Sequence, residues 1–233
     1  MVPFWWNCTH VLEFRRRWLL DHVKSGPLRD YLMTPVPSRR RPLDSLDFMA
    51  LDLETTGLDA KRDEIISVGM VEMRKCRINL ETSSHLLVNP QKEIPEESVI
   101  LHGVTDDISK TGATLEEIMP RLLDALTGKV LVAHYARLEV TFLQAACRRL
   151  YGYPLVVPVV DTLRLESKRL KAGNRYPKAG DLRLDAVRMR YNLPRYRAHN
   201  ALSDALSAAE LFLAQVSHRA ASGRMLTLGD LLR

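Results

Sequence analysis

The chain has 233 residues, 46% of them hydrophobic and 27% charged, with a net charge of +6. That length supports one good-sized core plus appendages, and the composition is that of an ordinary globular chain. No apolar stretch is long enough to cross a bilayer, Phe4-Trp5-Trp6 is interrupted by Asn7, Thr9 and His10, and Arg15-Arg16-Arg17 lies on the wrong side of it for a signal peptide.

Cys8, Cys76 and Cys147 are widely spaced. They read as reduced thiols of a cytoplasmic protein, not as a disulfide frame or zinc site. Positive charge is concentrated in two segments. Residues 1–46 hold eight Lys/Arg against four Asp/Glu, and residues 161–200 hold eleven against four, which leaves the remainder net negative. Such a distribution is compatible with a polyanionic partner and equally with solvated faces.

Residues 11–24 have helical periodicity, with Val11, Phe14, Trp18 and Leu19 forming one apolar stripe. A short helix over Pro27 to Met33 follows, and then a basic, proline-rich linker from Thr34 to Pro42. Residues 1–44 are therefore set apart as an N-terminal helical arm that packs on the main domain, contacts nucleic acid or docks a protein partner. Strands are expected over Asp47–Leu53, Glu64–Arg74 and Ser84–Asn89, an antiparallel start to a sheet. Thr114 and Glu117 fit a capping box that opens a helix over 114–126. Val130–Ala133 reads as a buried strand, Arg137–Leu150 as a helix with Leu138, Phe142 and Ala145 on one face, and Leu155–Val160 as another buried strand. A basic, loop-containing segment leads to a helix over Leu182–Tyr191 and a last, alanine-rich helix over Ala201–Val216. The domain is taken as residues 45–217, with 218–233 a weakly specified tail. Strand and helix alternation after a hairpin start predicts a mixed α/β sheet with helices on its faces.

The chemistry starts at Asp52-Leu53-Glu54-Thr55-Thr56-Gly57. On a strand, Asp52 and Glu54 project to one face. Two carboxylates side by side repel, and a hard divalent cation such as Mg²⁺ or Mn²⁺ between them resolves the repulsion. Two solvated acids at an exposed strand end are the plainer alternative. His134 and Glu139 flank the end of the Val130–Ala133 strand, and His199 and Asp204 flank the start of the last helix. His199 and Asp204 converge most easily with the histidine on a loop and the aspartate on the helix.

These segments resemble the motifs of the DEDD 3′–5′ exonucleases. Asp52 to Gly57 is similar to the first motif. Ile100-Leu101-His102-Gly103-Val104-Thr105 resembles the His-Gly-(Ile/Val)-Thr segment of the proofreading branch. Val160-Asp161-Thr162-Leu163 resembles the strand end before the third motif, and Tyr196 to Ala205, with His199 and Asp204, resembles that motif in the histidine-bearing (DEDDh) subgroup. The resemblance covers roughly residues 46–216, and the relatives in kind are the epsilon proofreading subunit of bacterial DNA polymerase III and its stand-alone homologues. One departure is clear. The second motif usually reads His-Asn-Ala-x-Phe-Asp, and here it is His134-Tyr135-Ala136-Arg137-Leu138-Glu139, with tyrosine for asparagine and glutamate for aspartate.

The resemblance implies an RNase H-like fold, a mixed five-stranded sheet flanked by helices. It implies Asp52, Glu54, Glu139 and Asp204 as ligands of two Mg²⁺ or Mn²⁺ ions, typically about 3.5–4 Å apart. His199 would be the general base, suited by an unperturbed pKa of about 6.5, and Thr55, Thr56 and Leu58 would line the terminal nucleotide. His134 and His102 would buttress the site. The expected activity is hydrolysis at the 3′ end of single-stranded or frayed DNA, in repair or proofreading, releasing nucleoside 5′-monophosphates. The basic residues Arg164, Lys168, Arg169, Lys171, Arg175 and Lys178 would flank the incoming strand, with Tyr176 and Tyr196 the stacking candidates. Two rivals remain open: an exonuclease on RNA or short oligonucleotides, and a non-catalytic nucleic-acid-binding or polymerase-accessory module.

Overall fold

The computed structural model describes residues 8–102, 105–196, 199–221 and 223–232. Gly103, Val104, Arg197 and Ala198, which fall within two of the motif segments above, lie outside the described residues. The first two helices are α1 (Thr9–His22) and α2 (Pro27–Met33). Strands β1 (Asp47–Thr55), β2 (Ile65–Arg74) and β3 (Arg77–Leu87) follow, then helices α3 (Glu96–His102), α4 (Asp106–Ser109) and α5 (Leu115–Leu126). Strand β4 (Val130–Ala133), helix α6 (Arg137–Tyr151), strand β5 (Val159–Asp161) and helices α7 (Thr162–Ala172), α8 (Leu184–Arg190), α9 (Ala201–Ala220) and α10 (Leu228–Leu231) complete the chain.

The sheet has five strands in the order β3-β2-β1-β4-β5. β1 pairs antiparallel with β2 and parallel with β4, and β4 pairs parallel with β5. The central strands are apolar on both faces because helices cover both. Phe48 and Ala50 of β1 pack with Val71, Val132, Ala209 and Phe212 on the α7–α9 side. Met49, Leu51 and Leu53 pack with Ile118, Leu122, Leu131 and Phe142 on the α5–α6 side. β3, at the edge, is half-exposed along its length. It starts seven residues earlier than the sequence pattern suggests. The hairpin loop is Lys75-Cys76, both with positive φ (48° and 56°), the type I′ geometry that usually announces itself as Asn-Gly. The capping box at Thr114 and Glu117 is present, and the Val130–Ala133 strand lies where the sequence puts it. Leu155–Val157 are buried but not strand, so β5 begins only at Val159.

The arm is built into the core, though of the expected stripe only Leu19 is fully buried. Leu12, Leu19, Val23, Leu28, Tyr31 and Leu32 share a cluster with the α5–α6 face, and the Tyr31 hydroxyl donates to the Val156 carbonyl at 2.7 Å. Phe14 and Trp18 instead point outward, 72% and 50% exposed, and Trp18 stacks on His22 at 4.0 Å. The inward positions on α1 are Thr9, Leu12, Arg16 and Leu19, and Val23 follows just past its end. An arginine can occupy one because Glu13 meets its guanidinium twice at 2.8 Å and the Leu32 carbonyl accepts a further hydrogen bond. That pairing holds the Glu13 carboxyl down at about 2. At the other end of β1, Leu43, Leu46, Leu228 and Leu231 close the α7–α9 face.

Candidate active site

The inward row of β1 changes character along its length. Phe48 and Ala50 are core, and the next two residues on that face are Asp52 and Glu54. Asp52 lies opposite Gly69 on β2, and Gly69 lies opposite His85 on β3. Helix α9 crosses at this row. A Cβ on Gly69 would sit 2.0 Å from the Ala201 carbonyl carbon and 2.2 Å from the Leu202 nitrogen. Only a glycine admits so close an approach of two backbones. The small buried residues Ala201, Ala205, Ala208 and Ala209 keep the helix close along its length.

This approach delivers Asp204, in the first turn of α9, to the two strand carboxylates. Asp52, Glu54 and Asp204 each offer an oxygen within 4.8 Å of the others. Asn200 caps the helix by accepting the Ser203 N–H at 3.1 Å. His199 precedes it with φ 65°, and its backbone N–H donates to Asp204 Oδ2 at 2.8 Å. The histidine is thus on a loop and the aspartate on a helix. The His199 side chain is exposed.

Glu139 is outside that trio of closest oxygens but belongs to the same electrostatic cluster. It sits in the first turn of α6 and is 2% exposed. Burial, then the charges of Asp161 and Glu54, push its carboxyl up to about 8, against the hydrogen bond of its own backbone N–H. Asp52 is raised well above the carboxylate range by burial and then by Glu139, Glu54 and Asp204. Asp204 is raised by burial and by Glu54, and the His199 N–H opposes the shift. Glu139 Oε2 is buried and has no hydrogen-bond partner among the described residues. Crowded hard oxygen donors, raised pKa values and a buried bare oxygen match what a hard divalent cation satisfies.

Thr55 and Thr56 are buried and hold the loop after β1. The Thr55 hydroxyl donates to the Gly57 carbonyl at 2.6 Å, and Thr56 Oγ1 accepts the Glu64 N–H at 2.9 Å. Leu58, at the loop tip, is 83% exposed. The His102 side chain lies outside the described residues.

Three residues had no weight in the sequence reading or too little. Asp161 caps α7, a helix hidden in what reads as a basic loop segment. Its Oδ1 accepts the N–H groups of Leu163 and Tyr135 at 3.0 Å and of Arg164 at 3.4 Å. An aspartate before a run of helix formers is an N-cap signal that was available. His85 lies on the carboxylate face, where Glu54 opposes the burial that lowers its pKa. Gly69 inside an apolar strand was the available sign of a close backbone approach. His134 is held by two contacts: its Nδ1 lies 2.8 Å from Thr162 Oγ1 and its Nε2 lies 2.8 Å from the Leu182 carbonyl. A carbonyl only accepts, so Nε2 carries the proton.

The basic segment is partly engaged within the fold. Arg169 and Arg190 pair with Glu166 at 2.7 and 3.2 Å, and Arg188 pairs with Glu210 at 2.7 Å. A cavity of about 610 Å³ between the 60–65 loop and α6 is lined by Glu64, Phe142 and Arg149, and none of the four acids lines it.

The exonuclease family model matches residues 49–212. A DNA polymerase III subunit epsilon of Treponema pallidum (strain Nichols) is 32% identical over 173 residues, which is 74% of this chain and 78% of that protein. A PolC-type DNA polymerase III of Thermotoga petrophila is 34% identical over 170 residues, 73% of this chain but 12% of that one, so the chain spans only a small part of such polymerases. In fold, the chain is similar to the nuclease domain of 3′hExo, a DEDDh family member bound to rAMP, with a TM-score of 0.64 at 15% identity over 76% of this chain and 95% of that one. It is likewise similar to E. coli exonuclease I in complex with a dT13 oligonucleotide, with a TM-score of 0.62 at 14% identity over 75% and 42% of the two chains. With the five-stranded sheet and the carboxylate row in agreement, the chain belongs to the exonuclease family.

Proposed function

We propose that the chain hydrolyses single-stranded or frayed DNA from the 3′ end, releasing nucleoside 5′-monophosphates. The observation that carries this reading is the convergence of Asp52, Glu54 and Asp204 from two separate elements, with the charge of buried Glu139 acting on Asp52. Asp52, Glu54, Glu139 and Asp204 would hold divalent cations of the Mg²⁺ or Mn²⁺ kind, which when bound would supply Lewis acidity toward water and the scissile phosphate. The chain's own contribution is positional. An imidazole nitrogen of His199 takes the proton of the attacking water, and the bond between its backbone N–H and Asp204 ties that base to a ligand. The water oxygen bonds to phosphorus, and the 3′ oxygen of the shortened strand leaves. Leu58 offers an apolar surface to the terminal nucleotide from the loop that Thr55 and Thr56 hold rigid.

The test is a 5′-labelled single strand with purified protein and Mg²⁺ or Mn²⁺, beside an EDTA lane, a matching RNA and an Asp52→Ala/Glu54→Ala protein. A ladder shortening from the 3′ end, absent from both controls, is the expected result. A folded protein that binds the strand and cuts neither DNA nor RNA would return the reading to a non-catalytic module. Faster cleavage of RNA than of DNA would replace the substrate.

A further inference from the structure

Tyr135 stands where the family's second motif carries asparagine, and the backbone there suits asparagine better. Its φ is 66°, in the left-handed region that a bulky side chain rarely adopts. The conformation is held from outside: the Tyr135 N–H donates to Asp161 Oδ1, and the Tyr135 carbonyl accepts the Leu138 N–H at 3.1 Å. Backbone held in a costly conformation by its surroundings points to a use for the side chain it presents. The ring is 50% exposed. It borders a cavity of about 340 Å³, with His134, Leu163, Lys178, Leu182 and Arg183 among its walls.

The facing wall is prebuilt. His134 fixes the Leu182 carbonyl, and the Lys178 N–H donates to Asp181 Oδ2 at 2.8 Å. The side chains of Lys178 and Arg183 are exposed, and neither pairs with an acid among the described residues. The cavity thus has an aromatic plate, an apolar floor at Leu163 and Leu182, and two cations at its rim. It follows β4, on one side of the carboxylates of β1, whereas the loop from Thr55 to Glu64 folds back toward β2 on the other. A strand laid across the carboxylates with its terminal nucleotide by Leu58 would run toward Tyr135.

We propose that this cavity is a subsite for an upstream nucleotide of a single strand, with its base stacked on Tyr135 and its phosphates met by Lys178 and Arg183. The proposal rests on the exonuclease reading. Stacking on an aromatic face accepts any base, and phosphate contacts add affinity that falls with salt, so the subsite holds strands without choosing sequence.

The experiment compares steady-state kinetics of the full chain on a short oligothymidylate and on the p-nitrophenyl ester of thymidine 5′-monophosphate, which has no upstream base. Tyr135→Ala should raise KM for the oligonucleotide roughly 5- to 100-fold and leave that for the ester within about twofold of wild type. Tyr135→Phe should stay within about twofold of wild type, since stacking needs the ring and not the hydroxyl. Lys178→Ala/Arg183→Ala should flatten the salt dependence of the oligonucleotide KM. Equal effects of Tyr135→Ala on the two substrates, whether small or large, would overturn the subsite and leave the exonuclease reading intact. Wild-type protein that hydrolyses neither substrate would overturn both.

Discussion

At the scale of single residues, the departure at Glu139 is the informative one. The glutamate keeps the negative charge of the usual aspartate on a side chain one methylene longer, and it sits 2% exposed beside Asp161 and Glu54. A buried carboxyl in that place is costly unless a cation compensates it. A protein that had lost metal binding would be stabilised by replacing Glu139 with an amide; one that binds metal would be disabled by it. We therefore expect Glu139→Gln to weaken Mn²⁺ binding by at least the roughly 10–100-fold that even outer-shell losses cost, with turnover falling alongside. Isothermal titration with Mn²⁺ and the ladder assay measure the two effects. Unchanged Mn²⁺ affinity with full activity would mark Glu139 as a bystander. Glu139→Asp separates charge from length: retained binding with this variant would show that the helix tolerates either reach.

At the scale of elements, the site depends on how closely α9 lies on the sheet. The alanines of α9 were visible in the sequence as a helix built for close packing, and Asp52 and Glu54 were visible as one face of a strand, because both follow from periodicity alone. Their convergence was not visible, since it turns on Gly69, a residue whose importance is the absence of a side chain. Gly69→Ala should cost about 3 kcal/mol, the upper end for an overpacked site, because the clash is with backbone at Ala201 and cannot be relieved by a rotamer change. It should also weaken Mn²⁺ binding by moving Asp204. Thermal melts and metal titration of this one variant decide the matter; wild-type values in both would mean the helix start is free to shift. Helix α1 forms where the sequence puts it, but part of its inner face differs from the sequence reading for a related reason. Phe14 and Trp18 are its bulkiest apolar residues, yet the buried face runs through Leu12, Arg16 and Leu19. Period identifies a helix, whereas the choice of its inner face depended on Glu13 being placed to neutralise Arg16. Helix α7 went unread because a string of basic residues resembles a solvated loop, although Glu166 turns inward and gathers Arg169 and Arg190.

For the whole molecule, the carboxylate cluster couples metal binding to folding. Glu139 has a usual value of 4.5 and is pushed up to about 8, and Asp52 and Asp204 shift the same way. A raised carboxyl pKa means that the folded state holds protons the unfolded state has released. The stability this contributes is present below the unfolded pKa and is lost as pH rises through the folded one. Other groups act in different windows. The Glu13 carboxyl, held at about 2, contributes stability above its usual value of 4.5 that is lost in acid. His134 and His85 are lowered by burial and favour the fold as pH rises through the usual histidine value of 6.5. Lys168, pushed down to about 8 by burial beside Arg164 and Arg219, favours the fold only as pH climbs from there toward 10.5. The interval between about pH 7 and 8 is left to the cluster. In EDTA, stability should fall by about 1 kcal/mol across it, or roughly 2–4 °C in Tm for a chain of this size. Glu139→Gln should remove most of that slope. Mn²⁺ should remove it in the wild type, because a bound cation keeps the carboxylates ionised at both pH values and restores the stability their repulsion takes away. Calorimetric melts at the two pH values, with EDTA and with Mn²⁺, give four numbers. A metal-free Tm that is flat, or that rises with pH, would mean that the carboxylates are relaxed by solvent rather than held in strain for a cation.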